Sequence, residues 1–322
     1  MEELDFLLKG PQYVRYNTLK HLMNRHEDDE ELIQSRKEMI RSPALKDLIE
    51  QCQEWPGPVL KRHNDAKLLI HKLCFLTEIG LNGNDPGMDE ITRKVMSDQD
   101  PDGPFRILTH LYERFGASGK DEMAWFLCDA PTVIYSLARL GYSSETRVLK
   151  ARDHLLSLMD ENGWRCHVSK ELGRMRGPGG KELECPYSTL LMLRLISAYP
   201  ELMEGYEAET GISVLLDLWT DKKKRKPFLF AMGTDFKKLK LPMIWYDIVH
   251  VAEVLTRFQK ARKDERLKEM VSLIRSRADE NGLYTPESVW MAWKGWDFSQ
   301  KKEPSPWLTF RIENILHRMN SH

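Results

Sequence analysis

A chain of 322 residues is longer than the ~100 to 200 residues of one ordinary domain, so it holds either two domains or one unit built from repeats. Its residues are 41% hydrophobic, including 9 Trp, 10 Tyr and 11 Phe, which is enough for a packed core and excludes disorder. Forty-eight Lys plus Arg against 49 Asp plus Glu give a net charge of -1, which excludes a global electrostatic pull towards nucleic acid or an anionic membrane.

Met1 to Gly10 brings acidic residues at once, with no basic segment followed by an apolar run, so no secretory signal is expected. No apolar stretch approaches the ~18 residues of a membrane span, and the run from Leu190 to Tyr199 is broken by Arg194. Five cysteines, Cys52, Cys74, Cys128, Cys166 and Cys185, are an odd and sparse set that suits a reducing compartment. A cytoplasmic protein is therefore expected. Residues 1–58 read as an N-terminal helical extension. Tyr13 to Met23 and Asp29 to Met39 are amphipathic there, and Trp55-Pro56-Gly57-Pro58 ends the segment.

Residues 59–322 carry a repeat, seen in two signals. The first is a turn: Asp100-Pro101-Asp102-Gly103, Asp160-Glu161-Asn162-Gly163 and Asp279-Glu280-Asn281-Gly282, whose glycines lie 60 and 119 residues apart. Asp-Gly and Asn-Gly supply the positive φ that closes a helix or a tight turn. A copy is missing near residue 222, where Asp221 and the run Lys222 to Lys226 make a polar break; such a run is ordinarily a solvated turn. The second signal is a proline opening an apolar stretch, at Pro131, Pro186, Pro242 and Pro306, spaced by 55, 56 and 64 residues. Proline is tolerated at the first helical position because that N–H has no intrahelical partner. An earlier copy without proline starts at Asp65-Ala66-Lys67. Each proline is followed by an apolar helix, and that by a charged amphipathic one such as Leu149 to Met159 or Leu267 to Ile274. Buried inner helices alternating with half-exposed outer ones predict an all-α fold, an α/α toroid of hairpins repeating about every sixty residues. Long connections, Trp164 to Cys185 and Leu283 to Ser305, fall at the inner-helix starts and mark a functional rim or an extended hairpin.

These Pro-led inner helices, Asp-x-Gly turns and sixty-residue period resemble the α/α toroid superfamily of squalene and terpene cyclases and protein prenyltransferase β subunits, over about residues 60 to 320. The resemblance implies an apolar cavity for an isoprenoid-like substrate. The Asp-x-Asp-Asp acid motif of the class II cyclases is absent. Glu184-Cys185-Pro186-Tyr187, preceded by Arg176 and Lys181, is similar to the zinc segment of the prenyltransferases, but the acid and the cysteine are adjacent. The later helix start reads Trp245-Tyr246-Asp247, with His250 one turn further on instead of the family's histidine. Protein prenylation is therefore not supported.

The candidate site residues gather at the inner-helix starts, whose unpaired N–H groups favour an anion. Asp129, Glu184 and Asp247 are candidate acids, bases or cation stabilisers; the alternative is that they cap their own helices. Arg174, Arg176 and Lys181, in a Gly-rich loop, are candidate anion ligands or else solvated loop residues. Cys166, His167 and Cys185 offer soft donors for zinc, without a Cys-x-x-Cys spacing to select it, and the alternative is ordinary buried cysteines. Tyr187, Trp245, Tyr246, His250 and Trp307 are candidate lining for a small-molecule ligand. Trp290, Trp293 and Trp296 form a stripe expected to pack against the rim.

The expected function is an enzyme acting on a small, largely apolar and anionic substrate in the barrel cavity, through carboxylates and a cysteine-bound metal. A non-catalytic binding or scaffold protein that keeps the toroid is the main alternative, and a carbohydrate-active α/α barrel is a third. An enzyme requires a cavity with clustered polar groups, whereas a scaffold requires an exposed apolar patch.

Overall fold

The structure, a computed structural model, describes residues 2–161, 163–173, 184–220 and 232–321. Among them the chain is mostly helical. In chain order it forms α1 (Glu2–Leu8), α2 (Gln12–His21), α3 (Glu30–Arg41), α4 (Pro43–Gln53), α5 (Leu69–Glu78) and α6 (Met88–Ser97). Two strands follow, β1 (Ile107–His110) and β2 (Asp121–Ala124), and then α7 (Ala130–Leu137), α8 (Thr146–Ser157), α9 (Pro186–Ile196) and α10 (Tyr206–Thr220). The last four are α11 (Ile248–Leu255), α12 (Gln259–Arg262), α13 (Glu265–Arg275) and α14 (Pro306–Asn320). No helix among the described residues is long and apolar enough to cross a membrane.

The expectation of helices alone needs correction, because β1 and β2 pair antiparallel, Ile107 opposite Ala124 and His110 opposite Asp121. Alternation explains it: Ile107 and Thr109 are buried while Leu108 and His110 are half-buried, a period of two that suits a strand.

Contacts divide the chain into two units, residues 1–49 with 233–322 and residues 50–232. In the first unit α1 and α2 pack on α14, so the N-terminal helices share a core with the C-terminal one.

In the unit of residues 50–232, α5, α7 and α9 pack in succession, with α8 against α7 and α10 against α9. Every residue of α7 and α9 is buried, whereas α8 buries only Val148, Ala151 and Leu155. Fully burying one Leu contributes about 1.5–3 kcal/mol, so α9, with four leucines and Met192, is a main source of stability in this unit. Gly211 lets α10 come close, since a Cβ there would lie 3.0 Å from the Leu193 side chain and 3.2 Å from Trp164. Pro131 and Pro186 sit in the first turn of α7 and α9 as predicted. Gly103 and Gly163 adopt φ of 130° and 99°; Asn162 and the Lys222–Lys226 run lie outside the described residues.

In the other unit α11 is buried throughout, while α13 buries only Leu267, Met270, Val271 and Ile274. Pro306 opens α14, and Gly282 has φ of 79°. Pro242 does not open a helix. Its bond to Leu241 is cis, and α11 begins at Ile248 with Asp247 as its cap, Oδ1 accepting from the His250 N–H at 3.0 Å. Asp29 likewise caps α3, accepting from Glu31 and Leu32.

Candidate metal centre

Three cysteines from three separate segments meet in the unit of residues 50–232. Cys128, Cys166 and Cys185 have sulfur atoms all within 4.8 Å of one another, and the backbone explains why. Residues 125–127 run beside 167–169 like a short pair of strands: the Leu127 N–H donates to the His167 carbonyl at 2.9 Å and the Ser169 N–H to the Trp125 carbonyl at 2.9 Å. This register lays Cys128 beside Cys166. The Cys185 N–H donates to the Trp164 carbonyl at 2.8 Å, which brings the start of α9 to the same place. Trp164 is itself fixed, fully buried and donating through Nε1 to the Leu155 carbonyl at 3.1 Å.

Cys185 occupies the cap position of α9, its sulfur accepting from the Ser188 N–H at 3.5 Å. The Cys128 sulfur lies 3.2 Å from Oγ of Ser188. Cys128 and Cys185 are buried and Cys166 is half-buried. Bonds from the Cys128 and Cys166 thiols, with further ones from Ser188, outweigh burial and hold the Cys185 thiol well below its ordinary range. Its two neighbours move the other way. Cys128 is raised by the bonds it gives to Cys166 and Cys185 and by burial. For Cys166 the bond with Cys128 lowers the pKa, but the Cys185 bond, burial and the Cys185 charge together push it up to about 12.

Beside the sulfurs lies a second constellation. Asp129 stands at the cap position of α7 without capping it; its Oδ2 is 2.7 Å from Nδ1 of His63. His63 is held on a segment that pairs with β1, where the Leu60 N–H donates to the Leu108 carbonyl and the His110 N–H to the Leu60 carbonyl, both at 2.9 Å. The Phe126 ring meets the His63 ring edge-on at 5.0 Å. Nε2 of His71 lies 3.0 Å from the His63 carbonyl, and burial lowers His71 to about 4, so it is a neutral donor there. Burial works to lower the pKa of His63, but the charge and hydrogen bond of Asp129, with the charge of Cys185, raise it overall. With Nδ1 engaged by Asp129, Nε2 of His63 makes no hydrogen bond among the described residues.

The sequence-derived candidates are distributed as follows. Cys166 and Cys185 come together, joined by Cys128, which was not among them. The His167 side chain is outside the cysteine group, and burial lowers its pKa. Tyr187 is buried, and its hydroxyl is raised well above its usual range by burial and by the fields of Asp129, Cys128, Cys74 and Cys185. Glu184 is buried next to Cys185 in the chain. Arg174, Arg176 and Lys181 lie outside the described residues. Asp247, Trp245, Tyr246, His250 and Trp307 belong to the other unit. There Asp247 caps α11, Nδ1 of His250 lies 2.9 Å from the Trp245 carbonyl, and Trp307 stacks on Phe310 at 5.1 Å and meets Tyr13 edge-on at 5.4 Å. Trp293 and Trp296 pack on each other and on Phe298.

No protein-family model matches the chain, and no curated protein matches it in sequence. Among solved structures, the chain is similar to a protein from Actinoplanes, at 11% identity and a TM-score of 0.46, over 99% of this chain and 98% of that one.

Proposed function

We propose that the chain is a cytoplasmic enzyme of the α/α toroid type that holds a zinc ion with the thiolates of Cys128, Cys166 and Cys185 and acts beside it on a small, largely apolar, anionic substrate of isoprenoid type. The observation that carries this reading is the meeting of the three sulfurs within 4.8 Å. Zinc–sulfur bonds of ~2.3 Å in a tetrahedron place sulfurs roughly 3.8 Å apart, so small side-chain adjustments suffice. Three soft, anionic donors suit zinc in charge and type, and three protein ligands leave a fourth position for water or substrate, as in catalytic sites. A zinc ion bound there supplies a Lewis acid and stabilises a bound thiolate or hydroxide.

The neighbouring side chains support a reactive site. Asp129 fixes the ring of His63 and its Nδ1, which leaves Nε2 to the substrate side, the usual arrangement for a histidine oriented by a carboxylate. Tyr187 keeps its proton and offers a neutral hydroxyl on a buried apolar wall. The substrate class comes from the resemblance of the repeat to cyclases and prenyltransferases, and the Pro-led helices α7, α9 and α14 agree with it. Five cysteines standing as free thiols agree with a reducing compartment.

The test is turnover. The zinc-loaded full chain is incubated with short allylic diphosphates and the products are separated by mass spectrometry. Product formation that is lost in Cys185→Ser and strongly reduced in His63→Ala supports the reading; no turnover of any of them by zinc-loaded protein rejects the substrate class.

A further inference from the structure

The segments that carry Cys128 and Cys166 form a pair with a chemistry of their own. The Leu127 N–H donates to the His167 carbonyl and the Ser169 N–H to the Trp125 carbonyl, and Phe126 is bridged antiparallel to Val168. In such a pairing, opposed residues that share ladder hydrogen bonds alternate with opposed residues that do not. Leu127 with His167 and Trp125 with Ser169 are of the first kind, and Phe126 with Val168 is of the second. One step further Cys128 stands opposite Cys166, again without a ladder bond, just as the chain turns into α7 with the Asp129 N–H on the Phe126 carbonyl. Alternation puts both cysteines on the face of Phe126 and Val168 and turns Leu127 and His167 to the other, which explains why His167 is outside the sulfur group.

Opposed residues without a ladder bond have Cα atoms ~4.5 Å apart, within the ~4.4–6.8 Å that a disulfide spans. The two sulfurs are already within 4.8 Å of each other, so rotation about side-chain bonds brings them to bonding distance. Access is unequal. Cys166 is half-buried, whereas Cys128, Cys185, Cys52 and Cys74 are all buried. A small oxidant arriving from solvent therefore meets Cys166 first, with Cys128 behind it. Cys185 is engaged otherwise, as the cap of α9 with its sulfur accepting from the Ser188 N–H at 3.5 Å.

We propose that Cys166 is a site of oxidation by a small hydroperoxide and that Cys128 resolves it, so that a reversible Cys128–Cys166 disulfide takes two of the three sulfurs away from the metal centre. This rests on the zinc reading only for its effect on the metal; the disulfide itself needs the two sulfurs alone. The Cys166 thiolate attacks one peroxide oxygen, the O–O bond breaks, and hydroxide leaves with a sulfenic acid formed on Cys166. The Cys128 thiolate then attacks that sulfur, the S–O bond breaks, and a second hydroxide leaves. The two sulfurs lose two electrons and the peroxide gains them. Where the cysteines start as thiols, their protons leave with the hydroxides as water. A dithiol reductant reverses the step by exchange, in keeping with the transient disulfides of a reducing compartment. Cys185 alone is too few ligands to keep a zinc ion.

The test uses the full chain, zinc-loaded and metal-free, treated with a small excess of hydrogen peroxide, quenched with an alkylating agent in denaturant and mapped by peptide mass spectrometry. A chromogenic chelator reads zinc release. A Cys128–Cys166 disulfide is expected as the main product in both forms, reversed by dithiothreitol, with Cys52 and Cys74 still thiols; in the zinc-loaded form zinc is released on the same time course. The metal-free Cys166→Ser chain should lose thiols to peroxide about tenfold more slowly. In the metal-free Cys128→Ser chain, dimedone should trap the sulfenic acid on Cys166. Cys128 and Cys166 both remaining thiols in the treated metal-free chain, a disulfide of Cys185 as the main product, or a zinc-loaded chain that keeps its metal and its thiols under peroxide overturns the proposal. A chain that takes up no zinc yet forms the Cys128–Cys166 disulfide contradicts the zinc reading and leaves this oxidation site standing.

Discussion

Nδ1 of His63 and Oδ2 of Asp129, 66 residues apart in sequence, lie 2.7 Å from each other, with the carboxylate 1% exposed. Pairing of Leu60 with β1, the His71 ring on the His63 carbonyl and the edge-on Phe126 ring together place that histidine. Removing the imidazole in His63→Ala leaves a buried carboxylate without its partner, which costs about 3 kcal/mol in comparable pairs. A drop of that order in urea-unfolding stability is expected, with the three cysteines and their metal binding retained. Stability within experimental error of the parent would show that Asp129 is compensated by other groups.

Asp247 should give the protein a pH dependence of its own. Burial raises its carboxyl from 3.8 to about 7, against the opposing charge of Lys240 and the hydrogen bond from His250. The unfolded chain loses this proton near pH 4 and the folded chain only near pH 7, so the contribution to stability falls as pH rises across that window and is level above it. Asp247→Asn keeps the cap oxygen and removes the ionisation. Its stability should exceed that of the parent at pH 8 by on the order of 2 to 4 kcal/mol, with the difference vanishing near pH 4. Parallel stability-against-pH curves for the two proteins would show that Asp247 ionises normally.

Glu78 on α5 and Arg194 on α9 form an ion pair whose side chains are 4% and 3% exposed, the guanidinium lying 4.9 Å from the centre of the Tyr135 ring on α7. The pair ties together the three apolar helices of its unit. Glu78→Ala alone should destabilise by about 3–5 kcal/mol, whereas Glu78→Leu combined with Arg194→Met should recover most of the loss, since a well-packed apolar pair replaces buried charge at little cost. Chemical denaturation of Glu78→Leu, Arg194→Met and the double variant measures the coupling; additive losses would contradict it.

Much of the helical framework is legible in the sequence because its signals are local. Pro131, Pro186 and Pro306 mark helix starts through their missing N–H, and Gly103, Gly163 and Gly282 mark turns through positive φ. Pro242 misled because the helix after it starts only at Ile248, where Asp247 does the capping. The strands β1 and β2 escaped because four alternating residues make a weak signal beside strong helical periodicity. For the site, Cys166 and Cys185 were visible on either side of one long connection. Cys128 was missed because its proximity comes from backbone pairing of residues 125–127 with 167–169. A signal did exist, since Cys128 precedes Pro131 much as Cys185 precedes Pro186 in the next repeat. His63 stands in a loop with no periodicity around it, and it reaches Asp129 through the pairing of Leu60 with β1 and its contacts with His71 and Phe126.

Metal content of the purified full chain, prepared without chelators, tests the central claim most directly. About one zinc ion per chain is expected, lost or sharply reduced in each of Cys128→Ser, Cys166→Ser and Cys185→Ser and retained in Cys52→Ser. Metal-free parent protein that takes up no added zinc, or zinc held equally well by the Cys128→Ser chain, would contradict the account.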